Sequence, residues 1–296
     1  MSEPFRSALV GVAGRPNVGK STLVNALCGA HVSIVSDKPQ TTRRRVAGVL
    51  NGDEWQIVLL DLPGFQTPRD GLTGRMQRTV DETLADVDAI LFVLDGTEPP
   101  GAGDRFIATR VFASGTPVVL ALNKIDRLSP VAIGAAIERI AELGDFAALV
   151  PVSARTSDGV DRIRDELLAH ATAGPALYPV DATSGDPVRL RIAELVREAA
   201  LNRTREEVPH AVAVLVDELV PATRRSAARV TCDVLCDTES QKGILVGKGG
   251  AMIRAIGADA RPEIERLLDA KVMLELTVRV RKGWRDDDRV LDQLGP

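Results

Sequence analysis

In the first half of the chain, apolar residues come in short unbroken runs set between longer stretches of mixed character. Ala8–Ala13, Ile57–Leu60, Pro117–Leu122 and Ala147–Val150 are such runs. Each is too short for a helix and has no polar alternation, the pattern of strands buried on both faces of a parallel sheet. Ser21–Leu27 reads as the start of a helix and Asp161–Ala171 as a further helix, while Arg45–Asp61 reads as a hairpin turning at Asn51-Gly52. Strands that alternate with helices in this way predict an α/β domain with a mostly parallel sheet.

The pattern changes after residue 173. Residues 174–187 are rich in Pro, Gly, Ser, Thr and Asp, the composition of a linker. Val188–Thr204 then has helical periodicity through Leu190, Ala193, Leu195, Val196, Ala199 and Ala200. Ala211–Leu219 and Arg229–Cys236 read as strands and Ser240–Val246 as a short helix. Ala251–Leu268 reads as a second helical region broken near Gly257, and Val272–Val280 as a final alternating strand. The expected organisation is an α/β domain over 1–173, a linker over 174–187 and a smaller α+β domain over 188–296. A chain of 296 residues is long enough for each domain to have its own core.

The residues that carry chemistry sit where the apolar runs end. Gly14, Arg15, Pro16, Asn17, Val18, Gly19, Lys20 and Ser21 match G-x-x-x-x-G-K-S/T between the first strand and the first helix, with Thr22 following. Backbone N–H groups in such a loop curl around phosphate oxygens, and the helix N-terminus adds partial positive charge. Lys20 would reach the β- and γ-phosphates and the Ser21 hydroxyl would hold Mg²⁺. Asp61, Leu62, Pro63 and Gly64 match D-x-x-G. Asp61 would hold the same Mg²⁺ through water and the Gly64 N–H would touch the γ-phosphate.

Asn123, Lys124, Ile125 and Asp126 form N-K-x-D after another strand, and this looks like the guanine-specificity motif of regulatory GTPases. Its Asp accepts hydrogen bonds from N1–H and the exocyclic amine of guanine, a donor pair that adenine lacks. Ser153, Ala154 and Arg155 resemble the short motif whose backbone N–H meets the guanine oxygen. Phe65 stands where many GTPases place a water-orienting Gln, so turnover is expected to be slow. Pro39-Gln40-Thr41-Thr42-Arg43 lies where a first switch would close on Mg²⁺, with Thr42 favoured over Thr41 by alignment with G-T-T-R-type relatives. Asn17 resembles the Asn that helps some of these GTPases bind K⁺. Arg43-Arg44-Arg45 reads either as exposed switch surface or as an RNA contact.

In the second domain, Gly247, Lys248, Gly249 and Gly250 form G-x-x-G between two helical stretches, the RNA-gripping loop of a KH domain. The two strands before it suggest the prokaryotic, type II arrangement. Lys242, Lys248, Arg254, Arg281 and Lys282 are the cations placed to meet RNA.

One phosphate loop followed by one C-terminal KH domain resembles the Era family of ribosome-associated GTPases over essentially the whole chain. The resemblance rests on Gly14–Thr22, Gln40–Arg43, Asp61–Gly64 and Asn123–Asp126, and in the second domain on Glu239–Gly250, Ile256–Arg261 and Gly283–Asp288. It implies a GTP-hydrolysing switch, with Lys20, Thr42, Asp61 and Gly64 in the reaction. It also implies that the switch binds the 3′ end of 16S rRNA, works with the 30S subunit in assembly and is monomeric.

Composition adds limits. The formal net charge is −4, so RNA binding must rest on local geometry rather than on a basic domain. The segment Met1–Ser7 shows no signal-peptide pattern, and no apolar run approaches the ~20 residues that span a membrane. A cytoplasmic protein is expected, with peripheral membrane association left open. The three cysteines, few and odd in number, fit a reduced compartment, and Cys232 and Cys236, on one strand face with no further Cys or His at ligand spacing, read as core residues. Two rival readings stay open: an RNA-docking protein with a purely structural nucleotide pocket, and a membrane-associated switch.

Overall fold

The computed structural model describes residues 4–38, 40–65 and 68–295. Pro39 of the expected first switch and Met1–Glu3 of the leading segment lie outside them. The chain divides into two compact units. The first comprises Met1–Val35, Pro39–Pro68 and Thr73–Gly185, and the second Ser36–Lys38, Arg69–Leu72 and Asp186–Pro296.

The first unit runs β1 (Arg6–Ala13), α1 (Lys20–Cys28), β2 (Val46–Asn51), β3 (Trp55–Asp61), α2 (Gly71–Ala85), β4 (Ala89–Asp95), α3 (Ala102–Ala113), β5 (Val118–Asn123), α4 (Pro130–Ala141), β6 (Ala148–Pro151), α5 (Val160–Leu168) and β7 (Thr172–Ala173). The sheet order is β2-β3-β1-β4-β5-β6, with β7 beside β1. The β1–β3, β1–β4, β4–β5 and β5–β6 pairs are parallel, whereas β2 and β7 run antiparallel to their partners. Side chains that alternate along these strands feed two separate cores, one on each face: Val10, Leu59, Leu91 and Val119 on one, and Val58, Ile90, Phe92 and Leu120 on the other. Burial on both faces is why the strands read as unbroken apolar runs. The turn between β2 and β3 takes in Gly52–Glu54, with Asn51 still in β2.

The order reverses at β1, whose neighbours β3 and β4 lead away in opposite directions. In open α/β sheets ligands bind at such a switch point, beyond the carboxyl ends of the strands. The octet Gly14–Ser21 follows β1, Asp61 and Asp95 end the two strands β3 and β4 beside it, and Asn123 ends β5 next to β4.

Residues 177–185 continue on this unit. The side chain of the buried Gln56 donates to the Tyr178 carbonyl and accepts from the Leu177 and Tyr178 N–H groups. Along β2, the Val49 N–H donates to the Thr183 carbonyl at 3.0 Å and the Gly185 N–H to the Ala47 carbonyl at 2.9 Å. The Asn51 amide reaches the Ala182 carbonyl at 2.8 Å.

The second unit contains α6 (Val188–Arg203), α7 (Val208–Ala211), β8 (Ala213–Val220), β9 (Ala228–Cys236), α8 (Glu239–Val246), α9 (Ala251–Leu268), β10 (Val272–Val280) and α10 (Asp288–Gln293). Its sheet is ordered β10-β9-β8, with β9 parallel to β10 and antiparallel to β8. Val230, Cys232, Val234 and Cys236 share one face of β9 and pack with Ile192 and Val196 of α6 and with Ile256, Ala260 and Ile264 of α9. Burial pushes the Cys232 thiol up to about 12, which makes it an inert core group. Trp284 is fully buried and its indole N–H donates to the Ala211 carbonyl at 2.9 Å.

Three expectations need correction. The α9 helix is continuous through Gly257 and Pro262 rather than broken. Gly257 is buried against Leu276 of β10, whose side chain is 3.5 Å from where a Cβ would stand, so the helix runs on through the glycine where it packs on the sheet. Residues 208–211, partly read as strand, form the short α7. Arg44 is not exposed switch surface: it is 6 % exposed and its guanidinium reaches the Arg45 carbonyl.

Candidate nucleotide site and nucleic-acid loop

At the head of α1 the Lys20 ammonium is buried and donates to the Gly14 and Arg15 carbonyls, both at 3.0 Å. The phosphate loop thus closes on its own lysine. Burial lowers the Lys20 pKa, and the charge of Asp61 opposes that shift. Burial likewise raises the Asp61 carboxyl, opposed by Lys20 and by the hydroxyls of Ser21, Ser33 and Thr42.

Two of those hydroxyls, of Ser21 and Thr42, converge on Asp61. Ser21 Oγ donates to Asp61 Oδ2 at 2.6 Å, Thr42 Oγ1 lies 3.1 Å from Ser21 Oγ, and Thr42 Oγ1 donates to Asp61 Oδ2 at 3.4 Å. Asp61 Oδ1 is buried and has no hydrogen-bond partner among the described residues. A buried carboxylate oxygen is costly to leave unpaired. An oxygen-only set beside a phosphate loop is the donor chemistry that Mg²⁺ takes, so the residues fit that ion. Ser21, Thr42 and Asp61 are the groups that could hold it.

Asn25, one turn beyond Ser21 on α1, belongs to none of the motifs. Its amide donates to the Ser33 carbonyl at 2.7 Å and accepts from the Val32 and Ser33 N–H groups at 2.9 and 2.8 Å. This ties the start of the loop that leads to Thr42 onto α1. The i, i+4 spacing from Ser21 was the available signal.

The N-K-x-D segment and Ala154 are stitched to the Gly14–Ser21 loop. The Asn123 amide donates to the Val18 carbonyl at 2.8 Å and accepts from the Ala154 N–H at 3.0 Å. The Lys124 ammonium donates to the Asn17 carbonyl at 2.8 Å and to Asp95 Oδ2 at 2.6 Å. Burial would raise the Asp95 carboxyl, but hydrogen bonds from Lys124 and Thr97 hold it below its ordinary value. Asp126 accepts from Ser153 Oγ at 2.7 Å and from Arg155 Nη2 at 2.5 Å. The Ser153 hydrogen bond, helped by Arg155, keeps that carboxylate below its ordinary range against desolvation.

A further clamp was also not legible. Arg15 Nε donates to Asp104 Oδ1 at 2.7 Å, and Asp104 Oδ2 accepts from the Gly101 N–H at 2.9 Å, which caps α3. Asp104 is 1 % exposed, so the phosphate loop is anchored to a buried carboxylate on α3, the helix that joins β4 to β5.

In the second unit the G-x-x-G turn joins α8 to α9. Lys248 and Arg254 are exposed, and Arg254 Nη1 lies 2.9 Å from where a Cβ on Gly250 would stand. Lys242 is on α8 and pairs with Glu239 at 3.8 Å. Arg281 and Lys282 are not beside the loop. The Arg281 N–H donates to the Cys236 carbonyl, just ahead of the first turn of α8, and its guanidinium pairs with Asp287 at 2.5 Å. The eight residues of α8, about 12 Å of helix, separate that end from Gly247.

Comparison with known proteins follows the same division. The family profile described as 50S ribosome-binding GTPase matches residues 9–124, and that of the KH domain matches residues 207–285. The GTPase Era of Heliobacterium modesticaldum is 42% identical over 293 residues, covering 99% of this chain and 98% of that protein. The GTPase Era of Mycobacterium bovis (strain BCG / Pasteur 1173P2) is 44% identical over 296 residues, covering 98% and 99%. Among solved structures, an Aquifex aeolicus Era variant bound to GDP·AlF4⁻ superposes with a TM-score of 0.94 at 36% identity, covering 98% of this chain and 99% of that one. Era in complex with MgGDPNP and nucleotides 1506–1542 of 16S ribosomal RNA superposes with a TM-score of 0.91, again at 36% identity and with the same coverage.

Proposed function

Since the chain belongs to the Era family of GTPases, we propose that it is a nucleotide-driven switch that binds the 3′ end of 16S rRNA and assists assembly of the 30S subunit. The proposed division is a GTPase domain over 1–173, a connector over 174–187 and an RNA-binding domain over 188–296. The observation that carries the reading is one chain joining a closed phosphate loop with converging Ser21, Thr42 and Asp61 to a G-x-x-G turn on a KH sheet. The likeness to the relative that holds 16S ribosomal RNA supports the choice of partner.

In this reading Asp126 selects guanine, Lys20 and the phosphate-loop N–H groups hold the phosphates, and Ser21, Thr42 and Asp61 hold Mg²⁺. The ion supplies charge neutralisation at the phosphate oxygens. Thr42 and Gly64 respond to the γ-phosphate, and hydrolysis releases the segments that carry them. With Phe65 after Gly64, intrinsic turnover is slow. RNA lies on the G-x-x-G turn, with Lys242, Lys248 and Arg254 near it and with Arg281 and Lys282 at the other end of α8.

The test is binding of a labelled 3′-terminal 16S rRNA oligonucleotide with GDP, with a non-hydrolysable GTP analogue and with no nucleotide. The expected result is binding that exceeds that of a scrambled oligonucleotide and changes with the nucleotide. Equal affinity for the scrambled sequence in all three states would remove the RNA half of the proposal.

Asn17 sits in the left-handed region, at φ 65°, and its carbonyl is tied to Lys124. Asn17 would hold K⁺, which would supply a second positive charge near the phosphates. Replacing K⁺ by Na⁺ at constant ionic strength should then lower kcat at least ~10-fold while leaving GDP affinity unchanged. Equal turnover in both salts would discard the ion. The proposed site of action is the cytoplasm. No helix of the described residues is long and apolar enough to cross a membrane.

A further inference from the structure

We propose that Phe106, on α3, is the positioning residue for the second switch: its ring seats Phe65 and thereby holds Gly64 against the phosphate loop. Phe65 directly follows Gly64, the last residue of D-x-x-G. Its ring meets that of Phe106 edge to face, with centroids 6.4 Å apart and planes at 85°, the arrangement that aromatic quadrupoles favour. Gly64 itself packs on the phosphate loop: a Cβ there would stand 3.0 Å from Pro16 Cγ.

The seat is held in its turn. The Arg110 guanidinium, one turn along α3, lies 5.2 Å from the centre of the Phe106 ring. Arg110 pairs with Asp81 of α2 at 2.6 Å. Asp81, Arg110, Phe106 and Phe65 therefore form one chain of contacts that ends on the switch. Phe106 is 54 % exposed, so the core does not depend on its ring, and burial alone does not account for its contacts with Phe65 and Arg110.

The same helix also grips the other side of the phosphate loop. Asp104, two residues before Phe106, holds Arg15. The first turns of α3 thus fix Arg15 through a half-buried ion pair and Phe65 through an aromatic pair. Pro16, next to Arg15, is the residue on which Gly64 rests. Through these contacts α3 sets the gap between phosphate loop and switch in which the Gly64 N–H must meet the γ-phosphate. The inference rests on the GTPase reading of the site and adds a residue to it.

The test is a double-mutant cycle on the full chain, reading kcat for GTP hydrolysis with Mg²⁺ and, separately, GDP affinity. An aromatic pair of this geometry corresponds to ~2- to 10-fold in rate. Phe106→Ala should lower kcat by about that factor with GDP affinity within about twofold, since GDP lacks the phosphate that Gly64 reads. Arg110→Ala should act in the same direction and more weakly. In a Phe65→Ala background the Phe106→Ala change should have no further effect on kcat. Three results would overturn the assignment: kcat unchanged or raised by Phe106→Ala, a loss that persists without Phe65, or an equal loss of GDP affinity. The last two would make Phe106 a residue of the fold rather than of the switch. Loss of GDP binding in all variants would instead indict the GTPase reading itself.

Discussion

Asp126→Asn should move the preference of the site from guanine to xanthine. The carboxylate is 10 % exposed and its two oxygens accept from Ser153 and Arg155. Its pKa is held down by the Ser153 hydrogen bond first and by Arg155 next, so it is anionic throughout the neutral range and can only accept. Guanine offers two donors on the edge that N-K-x-D reads. An Asn amide has one acceptor and one donor, so its NH₂ would face the exocyclic amine of guanine. The carbonyl that replaces that amine in xanthine would accept from it instead. Sites built around such donor–acceptor pairs reject the mismatched analogue strongly, and the expected loss of GDP affinity is ~10²- to 10⁴-fold, with XDP becoming the tighter ligand. Competition binding of GDP and XDP reads the outcome directly. Arg155 is 71 % exposed, so a base arriving at Asp126 can displace it at little cost. Retention of GDP affinity within about tenfold would remove Asp126 from base reading.

The second large effect separates two glycines that a motif treats alike. Gly247 has φ 70° and ψ 172°, a region open essentially to Gly alone. A Cβ there would lie 2.8 Å from Met252 Cβ and 2.9 Å from the Met252 backbone nitrogen. Gly247→Asp must therefore rebuild the turn and should lower stability by roughly 1–3 kcal/mol from strain alone. Gly250 has φ 79° and ψ 16°, and the close atom is Arg254 Nη1, the tip of an exposed side chain that can swing away. Gly250→Asp should cost only the left-handed conformation, about 1–2 kcal/mol, and leave the KH sheet intact. It places a carboxylate where phosphate is proposed to lie and offers Arg254 a partner other than RNA. Affinity for the 3′-terminal 16S rRNA oligonucleotide should fall at least ~10-fold in both variants, with the larger drop in Tm for Gly247→Asp. Wild-type RNA affinity in a folded Gly250→Asp protein would show that the turn does not touch RNA.

Much of this arrangement could be read before any coordinates, because the chemistry of the first unit sits at the ends of short apolar strands. Parallel strands buried on both faces announce themselves, and the residues just past them are the ones a ligand meets. The helix α9 misled because glycine is a weak breaker: its backbone cost is roughly 0.5–1 kcal/mol, less than the burial of Ile256, Ala260 and Ile264 in the core contributes. Arg44 misled because a basic triplet says nothing about which member turns inward. The clamps were out of reach for a different reason. Asp104 with Arg15, Asp95 with Lys124 and Asp81 with Arg110 are pairs 29 to 89 residues apart. Only the fold brings them together, and none belongs to a local pattern.

The stretch before Asp186 carries one more consequence. The strand β2 ends the sheet of the first unit, and an unpaired end strand is a template for another chain. The Thr183 carbonyl, which accepts from Val49, and the Gly185 N–H, which donates to Ala47, occupy that template, and the Asn51 side chain adds a bond to the Ala182 carbonyl. A segment whose composition marks it as a spacer is therefore a guard against self-association. A fragment cut after Ala173 would bare β2 and expose it to pairing between copies, whereas one that keeps Gly185 would carry its own cover.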